Sequence, residues 1–450
     1  MRAAAPRYIG SAFGTAPPGH RFRLYFRGWT DDDQWTFVKL KKKDMVKAAA
    51  SAEQSQCSQL ARELSARQLQ LALAAGERTL VVEGRSTAPL VTGVGSEHPL
   101  ENGFAFLDPY GVPYLPGSAI KGVVRRAAEE LTLFDSHSGW DLLALWWLFG
   151  FDMKSGFVGA ISSRGTTSAP GHLGEVQRQW GEAYREACER LAPDAAADWL
   201  RAAAASELEE QWQKDPIAFL RSFADADAKT AVRRLHLSGS LRFWDAIVRP
   251  PHGDLRVDIM NPHHQKYYQL GGSGSFEAPG DFRNPNPIFF LSVPPGALLT
   301  FIVLFAPVAA VPSSLRAGGW QALLRAAFAH GFTYLGFGAK TAVGYGLLEE
   351  VDTKAAPAAA GTPGPAVAPP APSPAPKTVL AQLLFELKAL APAKVAGSID
   401  HFVQRALELQ KPEDRREAAR AIVEKVTLKE ARKKAKNKPQ WQQILELAGM

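Results

Sequence analysis

Two short segments hold the residue types and spacings that could do chemistry: Pro113-Tyr114-Leu115-Pro116-Gly117-Ser118-Ala119-Ile120-Lys121-Gly122 and Gly336-Phe337-Gly338-Ala339-Lys340-Thr341-Ala342-Val343-Gly344-Tyr345-Gly346. Each sets glycines where main chain must come close to another group. Each adds a cation, and neither contains an evident nucleophile, base or metal-ligand set. That combination suits gripping a polyanion backbone better than breaking a bond.

In the second segment, a Walker-type phosphate loop would need glycine immediately before the lysine, where Ala339 stands, and a dinucleotide fingerprint would need a third glycine at Thr341 followed by a long helix. Both fail on the residues. Two readings remain for Gly336, Gly338, Gly344 and Gly346 around Lys340 and Thr341: a loop that lays main-chain N–H groups and one ammonium along phosphates, or a tight turn that needs positive φ. In the first segment, Ser118 is the expected N-cap of a helix over 118–131, and Lys121, Arg125 and Arg126 fall in its first turns. The free N–H groups and partial positive charge of such an end could dock an anion. Arg125 and Arg126 fit a solvated helix face equally well.

Catalysis finds little support. A metal-independent ribonuclease needs a paired acid and base, and the sequence gives none of His98, His137, His236 and His263 a partner. His252, His263 and His264 with Asp254 and Asp258 are the densest set of ligand types, yet they lack cysteines and a helical ligand spacing. A loop braced by Asp258 and His263 is the expectation there, with no metal and no cofactor. Asp31-Asp32-Asp33 reads as a turn beside Trp29 and Trp35. Of the aromatics that could stack on bases, Phe243, Trp244, Tyr267 and Tyr268, Phe243 fits the inward face of a strand, while Tyr267 and Tyr268, in a loop, keep the better claim to solvent or a partner.

These segments need elements to position them. Strands are expected at 79–83, 235–243, 298–305 and 347–351, and helices at 118–131 and 320–328, where apolar residues recur with periods of two and of three to four. Strand, helix, two strands, helix, strand is the order of the split βαβ unit, so an α+β, ferredoxin-like (RRM-like) core is expected over 79–352. Large insertions, helical at about 134–232 and a loop at about 250–287, would interrupt it. Residues 1–78 form an extension packing on that core. Residues 353–377, almost all Ala and Pro, read as a semi-rigid spacer before a small all-α module at 378–450.

The chain of 450 residues has net charge +7 and a pI near 9.2, which favours an acidic or nucleic-acid partner. Residues 411–438 hold eleven cations against five acids. They read either as a solvated helix face laced with ion pairs or as a contact for RNA or an acidic protein surface. Only Cys57 and Cys188 occur, too few for a disulfide framework or a cysteine-rich zinc site. The longest apolar stretch, 140–151, is too short to span a bilayer and no apolar signal segment follows Met1, so a cytoplasmic protein without membrane contact is expected.

Taken together, 113–122, Leu148-Phe149-Gly150, Gly239-Ser240-Leu241-Arg242-Phe243-Trp244-Asp245-Ala246 and 336–346 resemble the RAMP superfamily of CRISPR proteins. The stretches His98-Pro99-Leu100-Glu101-Asn102-Gly103-Phe104, Asp258-Ile259-Met260-Asn261-Pro262-His263 and Tyr267-Tyr268 resemble its type III-B (Cmr) branch. The resemblance implies a non-catalytic, ferredoxin-like subunit that binds CRISPR RNA and caps the 3′-end side of an RNA-guided complex, with target RNA and other RAMP subunits as partners. It also implies that a different, repeated subunit cleaves the target, and it carries RNA contact onto Lys121, Arg125, Arg126 and the 336–346 segment. A stand-alone, metal-independent endoribonuclease that processes CRISPR transcripts is the alternative on the same fold. The spacer and the basic C-terminal module lie outside the resemblance, and the module could dock protein or RNA.

Overall fold

The computed structural model describes residues 2–351 and 399–448, less 11–12, 31, 33, 39–40, 51–53, 153–157, 159–171, 204–207, 225–233, 252, 262–286, 308–310, 317, 410 and 426–438; it also describes Leu383. The chain divides into two compact units, Met1–Pro357 and Ala358–Met450.

The first unit mixes helices with antiparallel sheets. In chain order its strands are β1 (Arg2–Ala3), β2 (Arg27–Trp29), β3 (Thr79–Ser86), β4 (Phe106–Leu107), β5 (Val112–Leu115), β6 (Gly150–Phe151), β7 (Leu237–Ser238), β8 (Leu241–Phe243), β9 (Ala246–Arg249), β10 (Arg256–Met260), β11 (Ile288–Ser292), β12 (Leu298–Phe305) and β13 (Leu348–Glu350). Its helices are α1 (Pro18–Arg23), α2 (Lys42–Ala50), α3 (Gln54–Ala74), α4 (Gly117–Phe134), α5 (Leu142–Phe149), α6 (His172–Glu189), α7 (Pro193–Ala203), α8 (Glu209–Trp212), α9 (Pro216–Arg221), α10 (Ser313–Arg316) and α11 (Gly319–His330).

The main sheet runs β13-β3-β12-β9-β5-β4, with β8 also pairing β12. Its apolar centre is β12, whose Phe301 meets Phe328 and Phe332 of the α11 region while Phe305 stacks on Trp320. The opposite face is not left to solvent. There α3 lays Cys57 and Ala61 against Val112 of β5 and Ile247 of β9, flanked by Leu60 and Leu64. Burial of such apolar area, at about 25 cal/mol per Å², fixes α3 in place.

Three boundaries differ from expectation. The alternation at 235–243 is two strands: β7 pairs β6, and β8 pairs β12. The break falls where Gly239 approaches the Phe149 main chain so closely that a Cβ would sit 2.4 Å from its carbonyl carbon, and where Ser240 donates from N and Oγ to the Trp147 carbonyl. Helix α4 starts one residue before Ser118, with Pro116 as its N-cap. The stretch expected as a loop at 250–287 contains β10, which pairs β11 in register from Arg256↔Ser292 to Met260↔Ile288.

In the second unit, the described secondary structure is helical: α12 (Ile399–Leu407), α13 (Pro412–Lys425) and α14 (Pro439–Ala448). Leu383, Phe402, Val403, Ala406, Ala419 and Ile422 are among the residues of its core. Arg415 donates to the Leu409 carbonyl and Arg420 to that of Ala448, so two cations of the basic run tie helix ends together. Lys429, Arg432, Lys433, Lys434, Lys436 and Lys438, like the spacer, lie outside the described residues. Among the described residues no helix is long and apolar enough to cross a membrane.

Candidate nucleic-acid interface

The start of α4 is set by its contact with the end of β8. A Cβ on Gly117 would lie 2.2 Å from the Phe243 carbonyl oxygen, so only glycine lets the helix begin here. Its N–H donates to Asp245 Oδ1 at 2.7 Å. A carboxylate therefore already occupies the positive end of the helix dipole. An incoming anion would have to be held by side chains instead, not by the bare helix end that the sequence suggests.

Those side chains come from two elements. Lys121, one turn into α4, is half-buried; burial first, then the charges of Arg125 and of Arg242 on β8, hold its ammonium below the usual lysine range. Among the described residues Lys121 has no ion-pair partner. Arg242 is exposed and donates Nη1 to the carbonyls of Gly239, at 2.9 Å, and Leu241. Arg125 is neutralised by the buried Glu129, with Nε 3.0 Å from Oε1. The sequence reading missed Arg242. The alternation Leu241-Arg242-Phe243 marks it as outward-facing, but nothing local says that it meets α4.

Arg126 is engaged elsewhere. Its Nε lies 3.0 Å from Glu130, and its guanidinium stacks 4.0 Å from the centroid of Trp180 on α6. Glu130 in turn holds His330 at 2.9 Å, and Tyr334 lies against the His330 ring.

The 336–346 segment forms a braced turn. Gly336, Gly338, Gly344 and Gly346 all have positive φ, as does Lys340 at 63°. A Cβ would meet the Val91 carbonyl oxygen at 2.2 Å from Gly338 and that of Phe337 at 2.0 Å from Gly346, whereas at Gly344 it would meet open space. The N–H groups of Phe337, Ala339 and Gly346 donate to the carbonyls of Gly346, Val91 and Pro89, and those of Val343 and Gly344 turn back to Lys340 and Thr341. Most of the amides that could have cradled phosphates are spent inside the protein. Lys340 is held against the β10–β11 pair, with Nζ 3.0 Å from Met260 Sδ and 4.8 Å from the Phe290 ring centroid. Tyr345 donates to Asp258 Oδ2 at 2.7 Å; burial first, then that hydrogen bond and the carboxylate charge, push its phenol up to about 12. Asp258 thus lies on β10 and braces the 336–346 turn through Tyr345, not the 250–287 loop expected of it; its expected partner His263, with Tyr267 and Tyr268, lies outside the described residues. Thr341 is half-buried and Gly344 exposed at the tip.

The histidines offer no evident catalytic pair at the cationic cluster. His98 donates from Nε2 to the Phe22 carbonyl, accepts from the Leu100 N–H at Nδ1, and stacks 3.8 Å from Phe22. Both ring nitrogens are used, and burial holds its pKa below 6.5. His137 and His236 are exposed. Among the described residues no three His, Cys, Asp or Glu side chains gather to hold a metal ion. Asp32 accepts from Thr30 Oγ1 and the Gln34 N–H in a turn, while Asp31 and Asp33 lie outside the described residues. Phe243 packs on Phe149 at 5.8 Å, inward as expected.

Residues 85–166, which include the start of α4 and Lys121, match the RAMP superfamily model. The chain is 31% identical over 281 residues to CRISPR system Cmr subunit Cmr6 of Pyrococcus furiosus, covering 59% of this chain and 66% of that relative. Over residues 85–166 the chain is similar to the RAMP superfamily. The chain resembles Cmr6 and spans just under two thirds of that relative's length. Among solved structures it is similar to the type III-B Cmr-beta complex bound to cognate target RNA, at 13% identity, TM-score 0.33, and 70% and 72% of the two chains. It is also similar to the crystal structure of Cmr6 from Pyrococcus furiosus, at 24% identity, TM-score 0.27, and 61% and 98% of the two chains.

Proposed function

We propose that this protein is a non-catalytic subunit of a type III-B RNA-guided effector complex, binding CRISPR RNA on its 3′-end side beside other RAMP subunits and target RNA. The observation that carries the RNA reading is the Lys121–Arg125–Arg242 cluster. Three cations converge at the α4–β8 junction, and the one ammonium there, that of the half-buried Lys121, lacks an ion-pair partner among the described residues. A phosphate would supply the missing counter-charge. Lys340, Thr341 and the glycine turn contribute shape and one further cation rather than an amide cradle. Arg126 contributes least, because its guanidinium is already committed to Glu130 and Trp180.

The core supports a ferredoxin-like reading: β13-β3-β12-β8 is an antiparallel path through the last, first, third and second strands of the expected unit, with α4 and α11 as its two helices. The basic helical module at 378–450 would then serve protein or RNA docking. The test is binding of single-stranded CRISPR RNA across a salt series by the Lys121→Ala/Arg242→Ala double variant. Unchanged affinity and salt dependence would remove the assignment.

A further inference from the structure

Helix α11 does not stop at His330 but opens into a π-helical turn, Gly331–Leu335, with the Gly336 N–H donating to the Gly331 carbonyl at 2.9 Å. Single wide turns of this kind are rare and recur at functional sites. This one buries Gly331 and Phe332 and leaves Thr333 and Tyr334 outside, with Tyr334 72% exposed.

The exposed ring is propped from behind. Its centroid lies 5.0 Å from that of His330. His330 Nε2 is 2.9 Å from Glu130 Oε2, Glu130 Oε1 is 3.0 Å from Arg126 Nε, and the Arg126 guanidinium lies 4.0 Å from the Trp180 ring centroid. This run of contacts from α6 through α4 to α11 holds the tyrosine in place, which lowers the ordering cost that a partner would meet. Arg126 and Glu130 already neutralise each other, so the spot has little to offer a phosphate. What it offers is a flat π-face, held still and open to water.

The turn also sits across α4 from the cationic cluster. Gly331 packs on Val123, to whose Cγ1 an added Cβ would lie at 3.5 Å. At 3.6 residues per turn, Val123 stands about 200° round α4 from Lys121. Between them on the solvent side are Ser118 and Gly122, both exposed, and a Cβ on Gly122 would meet nothing within 4 Å. A strand held by its phosphates at Lys121 can cross the first turns of α4 over these small residues and reach the side where Tyr334 stands.

We infer that Tyr334 stacks on an unpaired base of single-stranded RNA whose phosphates are held at the Lys121–Arg125–Arg242 cluster. The inference rests on the RNA reading above and adds a base contact to it. Every base has a π-face, so the contact adds affinity with little sequence preference. A polypeptide is the less favoured occupant, because the route to Tyr334 begins at three cations.

The test is fluorescence anisotropy of the full chain with a labelled single-stranded RNA and with an abasic strand of the same length, each across a salt series. Tyr334→Ala should weaken binding of the base-bearing strand about tenfold and leave the abasic strand unaffected. The salt slope should not change, because no phosphate contact is lost. Tyr334→Phe, which keeps the ring, should stay within about twofold of the parent chain. The side chain is mostly exposed, so neither substitution should move the melting temperature. Unaltered RNA affinity in Tyr334→Ala would leave a polypeptide as the occupant, and equal losses on both strands would mean a merely structural role; either overturns the base contact. The Lys121→Ala/Arg242→Ala variant separates that failure from failure of the RNA reading. If it still flattens the salt slope, only the base contact is lost; a slope that it leaves unchanged, or a parent chain that binds no RNA, overturns both.

Discussion

Replacing Lys121 and Arg242 together by alanine isolates the cationic cluster from the rest of the fold. On single-stranded nucleic acid each neutralised phosphate contributes about 0.7 to the slope of log K against log salt, so losing two contacts should flatten that slope by about 1.4. At about 0.1 M salt the same loss lowers affinity about 25-fold, or about 1.9 kcal/mol. The control is Arg126→Ala, which removes a guanidinium already held by Glu130 at 3.0 Å and by Trp180 at 4.0 Å. It should leave the slope within error. Stability should move the other way: Lys121→Met removes a half-buried ammonium that faces two guanidiniums, and the melting temperature should rise. Filter binding of single-stranded CRISPR RNA from low to high salt, with thermal melts of each variant, reads all of these. Equal losses from Arg126→Ala and the double variant, or a slope unchanged by the double variant, would refute the reasoning.

Three further outcomes follow from the same geometry. Gly346→Ala puts a Cβ 2.0 Å from the Phe337 oxygen at φ +78° and should cost about 3 kcal/mol or more; Gly344→Ala, in open space, should cost about 1 kcal/mol of backbone strain and leave RNA affinity unchanged. Denaturant melts and binding curves separate that outcome from a phosphate cradle, in which Gly344→Ala would weaken RNA. His98 has a folded-state pKa below its unfolded value of 6.5, so its contribution to stability is complete above pH 6.5 and is lost as pH falls from there to the folded value; a His98→Phe chain should lose that part of the pH dependence in melts over this range. Tyr345 is raised from 10 to about 12, so its contribution is complete below pH 10 and is lost as pH rises toward 12, a dependence that Tyr345→Phe should abolish in alkaline unfolding monitored by fluorescence.

Which of these features the sequence discloses depends on how local their causes are. Strand β12 was readable at its exact bounds because eight apolar or β-branched residues follow one another at the sheet centre. Helix α11 was readable because Trp320, Leu324, Ala327 and Phe328 repeat at helical spacing and bury one face. The division of 235–243 was hidden, because alternation continues through Gly239 and Ser240 while their partners, Phe149 and Trp147, lie about ninety residues away in the chain. The N-cap was misread for the same reason: Ser118 has the local propensity, but the first helical N–H is satisfied by Asp245. The 336–346 glycines signalled positive φ correctly, yet the sequence could not distinguish a phosphate cradle from a turn braced by Pro89 and Val91.

The position of α3 bears on where a polyanion can bind. An RRM-like sheet recognises RNA through aromatics on an uncovered face, and here Cys57, Ala61, Leu60 and Leu64 occupy that face over β5 and β9. Base stacking on the covered part of the sheet would require α3 to leave, at the cost of exposing Val112 and Ile247, both almost fully buried. Contact is cheaper at the α4–β8 junction, where nothing has to move. The energetics there point the same way. Burial and two neighbouring guanidiniums disfavour charged Lys121 in the free protein, whereas Asp245 has been spent on the helix end and Glu129 on Arg125. A phosphate at that point would regain what the free fold forgoes, so the cluster that costs stability is the one whose removal should cost binding.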